Sequence, residues 1–203
     1  MRIVLVGCRG AGKTVVGKIV AHRLHLKFLD TDKIVEDAVG KSISEIFDTD
    51  GERFFRTVES EVIRRTRDRA GIVIAAGGGA PMRKSNIANL KRAGTLVFYL
   101  SAPAETLHQR CRADFRTLNQ RPPLTSARRT AGIAEMRKIL KEREPVYRAT
   151  ADATIDTSSS TPSQVASEVI RLVRKFTQKC ERGFCGKRKE GEGRQRRARG
   201  AHL

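Results

Sequence analysis

The first 24 residues, MRIVLVGCRGAGKTVVGKIVAHRL, constrain the fold more than any other stretch. IVLV at 3–6 reads as a buried strand, and Val15, Val16, Ile19, Val20 and Leu24 recur at helical spacing. Between them, GCRGAGKT at 7–14 fits Gly-x-x-x-x-Gly-Lys-Ser/Thr without a mismatch. Each part has a physical reason. The glycines let the backbone wrap so that successive N–H groups point at a phosphate, and the following helix adds its positive end. Lys13 reaches the β- and γ-phosphates, and the Thr14 hydroxyl suits Mg²⁺. Gly10, Ala11, Gly12, Lys13, Thr14 and Val15 are therefore the candidate ATP-binding set. The loop says that a nucleoside triphosphate is held, and nothing about the acceptor.

Downstream, strand-like runs alternate with helical ones. KFLD ends at Asp30, GIVIAAGGGA runs into three glycines, GTLVFYL follows, and ATIDTS at 153–158 is the last short strand. Helical spacing fills 31–62 around Gly40 and Gly51, a Pro-started helix begins near 103, and another covers roughly 127–144. The closing helix is signed by Thr161 as N-cap, Pro162 as first residue and Gln164 as capping-box partner. This alternation implies a three-layer α/β/α fold around a five-stranded parallel sheet. Ligands then gather beyond the carboxyl ends of the strands. Residues 1–177 form one domain, with a substrate-binding helical region at about 31–62. CRADFRTLNQRPPLTS at 111–126 breaks every periodicity and reads as an exposed, mobile lid. From 178 to 203 the order signals stop, which suggests a basic, disordered tail.

The formal net charge is +19, and residues from Lys179 onward carry nine Lys or Arg against three Glu. The tail thus supplies +6 and the body is basic in its own right, so phosphorylated or other anionic ligands are favoured. Cysteines 8, 111, 180 and 185 make no Cys-x-x-Cys and read as free thiols of a reducing, cytoplasmic compartment, Cys8 filling an unrestricted loop position. No apolar run approaches a membrane span. An Asn-Lys-x-Asp segment for guanine is absent, which disfavours a GTPase switch, and a motor usually needs a longer chain. Asp30 and Asp32, in DTD at the end of the second strand, suit either a helix cap or a pair of carboxylates for metal and hydroxyl. Beside the phosphate loop the second reading gains weight.

Taken in order, GCRGAGKT, FLDTD (28–32), GERFFRTVE (51–59), AAGGGA (75–80), RPPLT (121–125) and EREPVYRATAD (142–152) resemble the shikimate kinase family. The resemblance covers about residues 2–176. It implies transfer of the γ-phosphoryl of ATP to the 3-hydroxyl of shikimate, with Mg²⁺, in aromatic amino acid biosynthesis. By the same resemblance, Asp32 engages the accepting hydroxyl and Asp30 acts on Mg²⁺ through water. Arg56 and Arg143 hold the shikimate carboxylate, and Gly78 presents backbone to the same substrate. Arg121 reaches the phosphates from the lid, so that Lys13, Asp32 and Arg121 form the catalytic set. The chemistry of the residues agrees, since guanidinium forks suit a carboxylate, and Glu59, three residues after Arg56, suits either that guanidinium or a helix surface.

The sequence also departs from the family pattern. The lid reads RPPL where the family usually has RPLL, and the stretch before Arg121 is longer and more basic. Arg110 or Arg112 then packs on adenine, Arg110 being preferred, and Arg148 and Ala149 stand where an acid commonly follows the tyrosine. The expected partners are ATP and shikimate, with no membrane, and the expected state is a monomer. A small-molecule kinase for another carboxylated sugar is the nearest rival, and weak nucleic-acid binding by the basic tail is an open but less favoured addition.

Overall fold

The computed structural model describes the backbone of residues 1–113 and 132–195, with side chains to 178. Five parallel strands form one sheet in the order β2-β3-β1-β4-β5. They are β1 (Arg2–Val6), β2 (Lys27–Asp30), β3 (Ile72–Ala75), β4 (Thr95–Ser101) and β5 (Ala153–Asp156). The continuous apolar runs of β1 and β3 are those of strands covered on both faces, and every residue of both is buried. In register, Leu5 pairs with Ala75, Asp30 with Ala75, and Val6 with Tyr99. The loops after β1, β2 and β3 therefore open on the same end of the sheet.

Helix α1 (Lys13–Arg23) follows the phosphate loop and packs between β3 and the closing helix. Gly17 meets the Phe28 ring so closely that a Cβ there would overlap it, which lets α1 lie tight on β2. The region expected to be helical at 31–62 is three helices: α2 (Thr31–Val39), α3 (Ile43–Thr49) and α4 (Gly51–Thr66). Gly40, at φ 74°, ends α2, and Ser42 with Glu45 forms a capping box that starts α3. Val35, Ile43, Ile46, Phe55 and Val62 make a small core of their own, apart from the large core around the sheet. A 3₁₀ turn (Ala80–Met82) leads to α5 (Lys84–Leu90), and α6 spans Ala104–Ala113. Residues 111–113, assigned to the lid from sequence, are thus the last residues of a helix. The remainder of the lid segment, with Arg121, lies outside the described residues.

Helix α7 runs Ile133–Thr150, beyond the 144 that Pro145 suggests as a stop. A proline removes one donor and strains the preceding turn. The burial of Tyr147 and Thr150 beyond it offsets that cost and carries the helix through. Helix α8 starts at Pro162 as the sequence signals: the Thr161 N–H donates to Gln164 Oε1 (2.8 Å) and the Gln164 N–H to Thr161 Oγ1 (3.3 Å). It continues to Gln195, so the backbone of 178–195 is helical where an unstructured tail is expected from sequence. Extending an existing helix needs no new nucleus, and Lys, Arg and Glu propagate it well, against about 1 kcal/mol for each of Gly183, Gly186, Gly191 and Gly193. Residues 196–203 lie outside the described residues. No described helix is long and apolar enough to cross a membrane.

Candidate active site

The phosphate loop is built from below. Cys8 is not in a free position: it is 2% exposed, packed in the main core, with Sγ 3.7 Å from the Tyr147 hydroxyl. The rule Gly-x-x-x-x-Gly leaves that position open, so only the tertiary fold could assign it. Gly10 is held at φ 82°, and a Cβ there would stand 2.7 Å from the Leu107 carbonyl, so no side chain fits. Lys13 Nζ donates to the carbonyls of Gly7 (2.8 Å) and Cys8 (2.9 Å), which stretches it across its own loop. Ala11 is buried, its N–H directed to the Cys8 carbonyl.

A cleft of about 260 Å³ opens beyond the strand ends. Gly10, Gly12, Lys13, Thr14 and Val15 line one side, Asp30 and Asp32 another. Arg110 lines the cleft from α6, and its guanidinium is seated on Thr157 and on the Ser158 carbonyl. Arg112 is not among the lining residues. Asp30 is a helix cap, and its second oxygen is committed to the phosphate loop. Its Oδ1 caps α2 through the Asp32 N–H (3.1 Å), while Oδ2 accepts from the Thr14 hydroxyl at 2.7 Å. Thr14 and Asp30 thus present two hard oxygens at the floor of the cleft, a donor set that suits Mg²⁺.

Next to this cleft lies a second constellation. Arg56 on α4 donates to Glu59 (Nη1, 3.0 Å) and to Glu52 (Nη2, 3.2 Å). Glu59 is no surface acid: it is 1% exposed, and its Oε1 is buried without a hydrogen-bond partner, near Gly77. Burial pushes the Glu59 carboxyl up, and the Asp32 charge adds to this, against the pull of Arg56. Burial works to lower the Arg56 guanidinium, but Glu59 and Glu52 outweigh it and hold it above its ordinary range. A guanidinium does not deprotonate in a protein, so the fixed positive charge belongs to Arg56.

The three glycines join the two constellations. The Gly77 N–H donates to the buried Thr31 hydroxyl at 2.8 Å, and any Cβ on Gly77 would strike Asp32. Gly78 lies 3.8 Å, measured from an ideal Cβ, from Arg143 Nη1. Gly79 covers Arg56 so closely that a Cβ would overlap the guanidinium. Replacing Gly79 by alanine therefore drives Arg56 off Glu59. Steady-state kinetics of Gly79→Ala should show the acceptor KM rising by about tenfold or more, for roughly 1.4 kcal/mol of lost contact, with the ATP KM unchanged.

Sequence reasoning missed several supports. Arg83 donates to the Arg56 carbonyl (3.0 Å) and to Ser60 Oγ (3.3 Å), bracing the turn of α4 that carries Arg56. Nothing in the local pattern distinguishes Arg83 from the other arginines. Tyr147, one turn after Arg143, donates to the Gly78 carbonyl. Arg148, where an acid is commonly found, pairs instead with Glu144 at 2.6 Å.

A phosphate loop at the centre of a parallel sheet, with two carboxylates and a guanidinium at its mouth, defines a P-loop phosphotransferase for a small acceptor. A family model described as "Shikimate kinase" matches residues 9–174. The chain belongs to the shikimate kinase family. It is 41% identical over 169 residues to the shikimate kinase of Caldanaerobacter subterraneus subsp. tengcongensis, covering 83% of this chain and 94% of that one. It is 39% identical over 158 residues to that of Neisseria meningitidis serogroup C, covering 78% and 88%. Among solved structures, a shikimate kinase from Acinetobacter baumannii in complex with shikimate superposes with a TM-score of 0.78 at 36% identity, covering 86% of this chain and 93% of that one. The Bacteroides thetaiotaomicron shikimate kinase does so at 0.74 and 30%, covering 87% and 98%.

Proposed function

We propose that the chain transfers the γ-phosphoryl group of ATP to the 3-hydroxyl of shikimate, giving 3-phosphoshikimate and ADP, in aromatic amino acid biosynthesis. The observation that carries this reading is the Arg56 guanidinium, set by Glu59 and Glu52 beneath Gly79 and one glycine turn away from Asp32. A phosphorylation site for a neutral sugar has no use for such a cation. An acceptor that is both a carboxylate and a polyol does: its carboxylate meets Arg56 and Arg143, the former held by buried Glu59, and its hydroxyl meets Asp32.

In this reading the backbone of Gly10, Ala11 and Gly12 cradles the phosphates, and Lys13 leaves its loop carbonyls for the β- and γ-oxygens. Thr14 and, through water, Asp30 would hold Mg²⁺, which would offset the charge of the triphosphate. Val15 and Arg110 lie toward the base of the nucleotide. Asp32 orients the 3-hydroxyl for in-line attack and accepts its proton. Arg121, from the segment after α6, adds a cation to the moving phosphoryl group. Positioning and electrostatics dominate such transfers, and proton acceptance by Asp32 adds to them. We further propose a cytoplasmic monomer, to which the basic C-terminal segment is an accessory.

The test is shikimate-dependent ADP release from Mg·ATP, with quinate, a hydroxylated acid of the same size, as competitor acceptor. Stimulation by shikimate of about 100-fold or more over the acceptor-free rate supports the reading. ATP binding without stimulation sinks it and points to another hydroxylated acid.

A further inference from the structure

The machinery described so far leaves one buried hydroxyl without a task. Tyr147 is fully buried in α7, ring against ring with Tyr99 at 5.2 Å between centroids. A tyrosine kept only to fill a core could equally be a phenylalanine, and its hydroxyl would cost free energy unless it were partnered. Here it has three neighbours, one from each part of the site. It donates to the Gly78 carbonyl of the triple-glycine turn. It lies 3.7 Å from Cys8 Sγ in the phosphate loop. The positive charge of Arg143, one helical turn earlier, also acts on it.

We infer that Tyr147 is a positioning residue for the acceptor: its hydroxyl pins the Gly78 peptide to the phosphate loop and fixes the distance between the two halves of the reaction. This deepens the proposed function and rests on it. A peptide is planar, so a carbonyl drawn toward Tyr147 turns the following Gly79 N–H the opposite way. Glycines have no side chains to hold such a turn, and three in a row are the most mobile backbone available. Gly78 itself lies within 3.7 Å, from an ideal Cβ, of the Arg9 nitrogen, so the acceptor turn and the phosphate loop already touch there. The hydroxyl therefore sits where a small shift of one part moves it against the other. Burial raises its pKa well above the ordinary tyrosine value, which keeps it a donor throughout the working range.

The experiment compares wild type with Tyr147→Phe, which keeps the ring and its packing. Calorimetric Kd values for shikimate and for a non-hydrolysable ATP analogue are measured beside kcat and both KM values. A positioning role raises the shikimate Kd and KM by about 5–20-fold, for roughly one lost buried hydrogen bond, and leaves the ATP values within about twofold. It also makes Tyr147→Phe and Arg143→Ala non-additive in the double variant, because the two groups share one network. A structural role lowers the melting temperature and leaves the two substrates equally affected or unaffected, and that result overturns the inference. Wild type that neither binds nor phosphorylates shikimate overturns the proposed function itself, and this inference with it.

Discussion

Arg56→Ala should lower kcat/KM for shikimate by roughly 10²–10³-fold while leaving ATP binding within about twofold, as steady-state kinetics and nucleotide titration will show. The size follows from the chemistry of the pair. A charge-assisted contact to a carboxylate in a part-buried site costs about 3–4 kcal/mol when one partner is cut away. Arg56 is the better anchored of the two proposed carboxylate ligands, held at 3.0 Å by a glutamate that is itself 1% exposed. The same substitution leaves Glu59 buried without its cation. Its carboxyl, already pushed up by burial, then rises further. A carboxyl whose folded pKa lies above its unfolded one binds its proton more tightly in the folded state. Stability accordingly falls as pH rises past the ordinary glutamate range. The melting temperature of Arg56→Ala should therefore drop further below that of wild type at about pH 8 than at about pH 5. A deficit that is constant with pH would show that Glu59 is not the group left stranded.

Asp32→Asn is the second large effect. Asparagine preserves shape and can still contact a hydroxyl, but it neither accepts a proton at neutral pH nor matches the charge of the site. The expected loss is about 10²–10³-fold in kcat, within the range of general acid–base contributions, with little change in either KM. The Asp30 cap on α2 uses the Asp32 backbone N–H, not its side chain, so the substitution leaves that helix start in place. A raised shikimate KM with kcat unchanged would instead make Asp32 a binding group only.

Much of this site was legible because its parts lie next to strong local signals. The phosphate loop announces itself by eight residues, and Asp30, Asp32 and the three glycines stand at or just after the end of a strand whose hydrophobic run marks it. The five strands and the capping box of α8 could be read for the same reason. What could not be read was contact across the fold. Cys8 occupies an unrestricted position in the motif, yet the fold buries it under Tyr147. Arg56 stands in a motif, but Arg83 looks like any other of the 41 Lys and Arg, and only the turn after β3 sets it behind Arg56. Pro145 signals a helix end, and the buried residues after it overrule the signal. At 178 the loss of apolar periodicity signals an end that the backbone does not take, since a helix already formed extends without a new nucleus.

The separate small core under α2, α3 and α4 bears on how such an enzyme changes over evolutionary time. Val35, Ile43, Ile46, Phe55 and Val62 pack among themselves and apart from the sheet. The acceptor side of the site thus has its own folding economy, tied to the rest through Ile63 of α4 in the large core, through Thr31 and Gly77, and through the Arg83 brace. Substitutions that reshape this cap need not disturb the sheet that holds the phosphate loop. A lineage can explore new acceptors by repacking some thirty residues, while the part that handles the nucleotide is inherited intact.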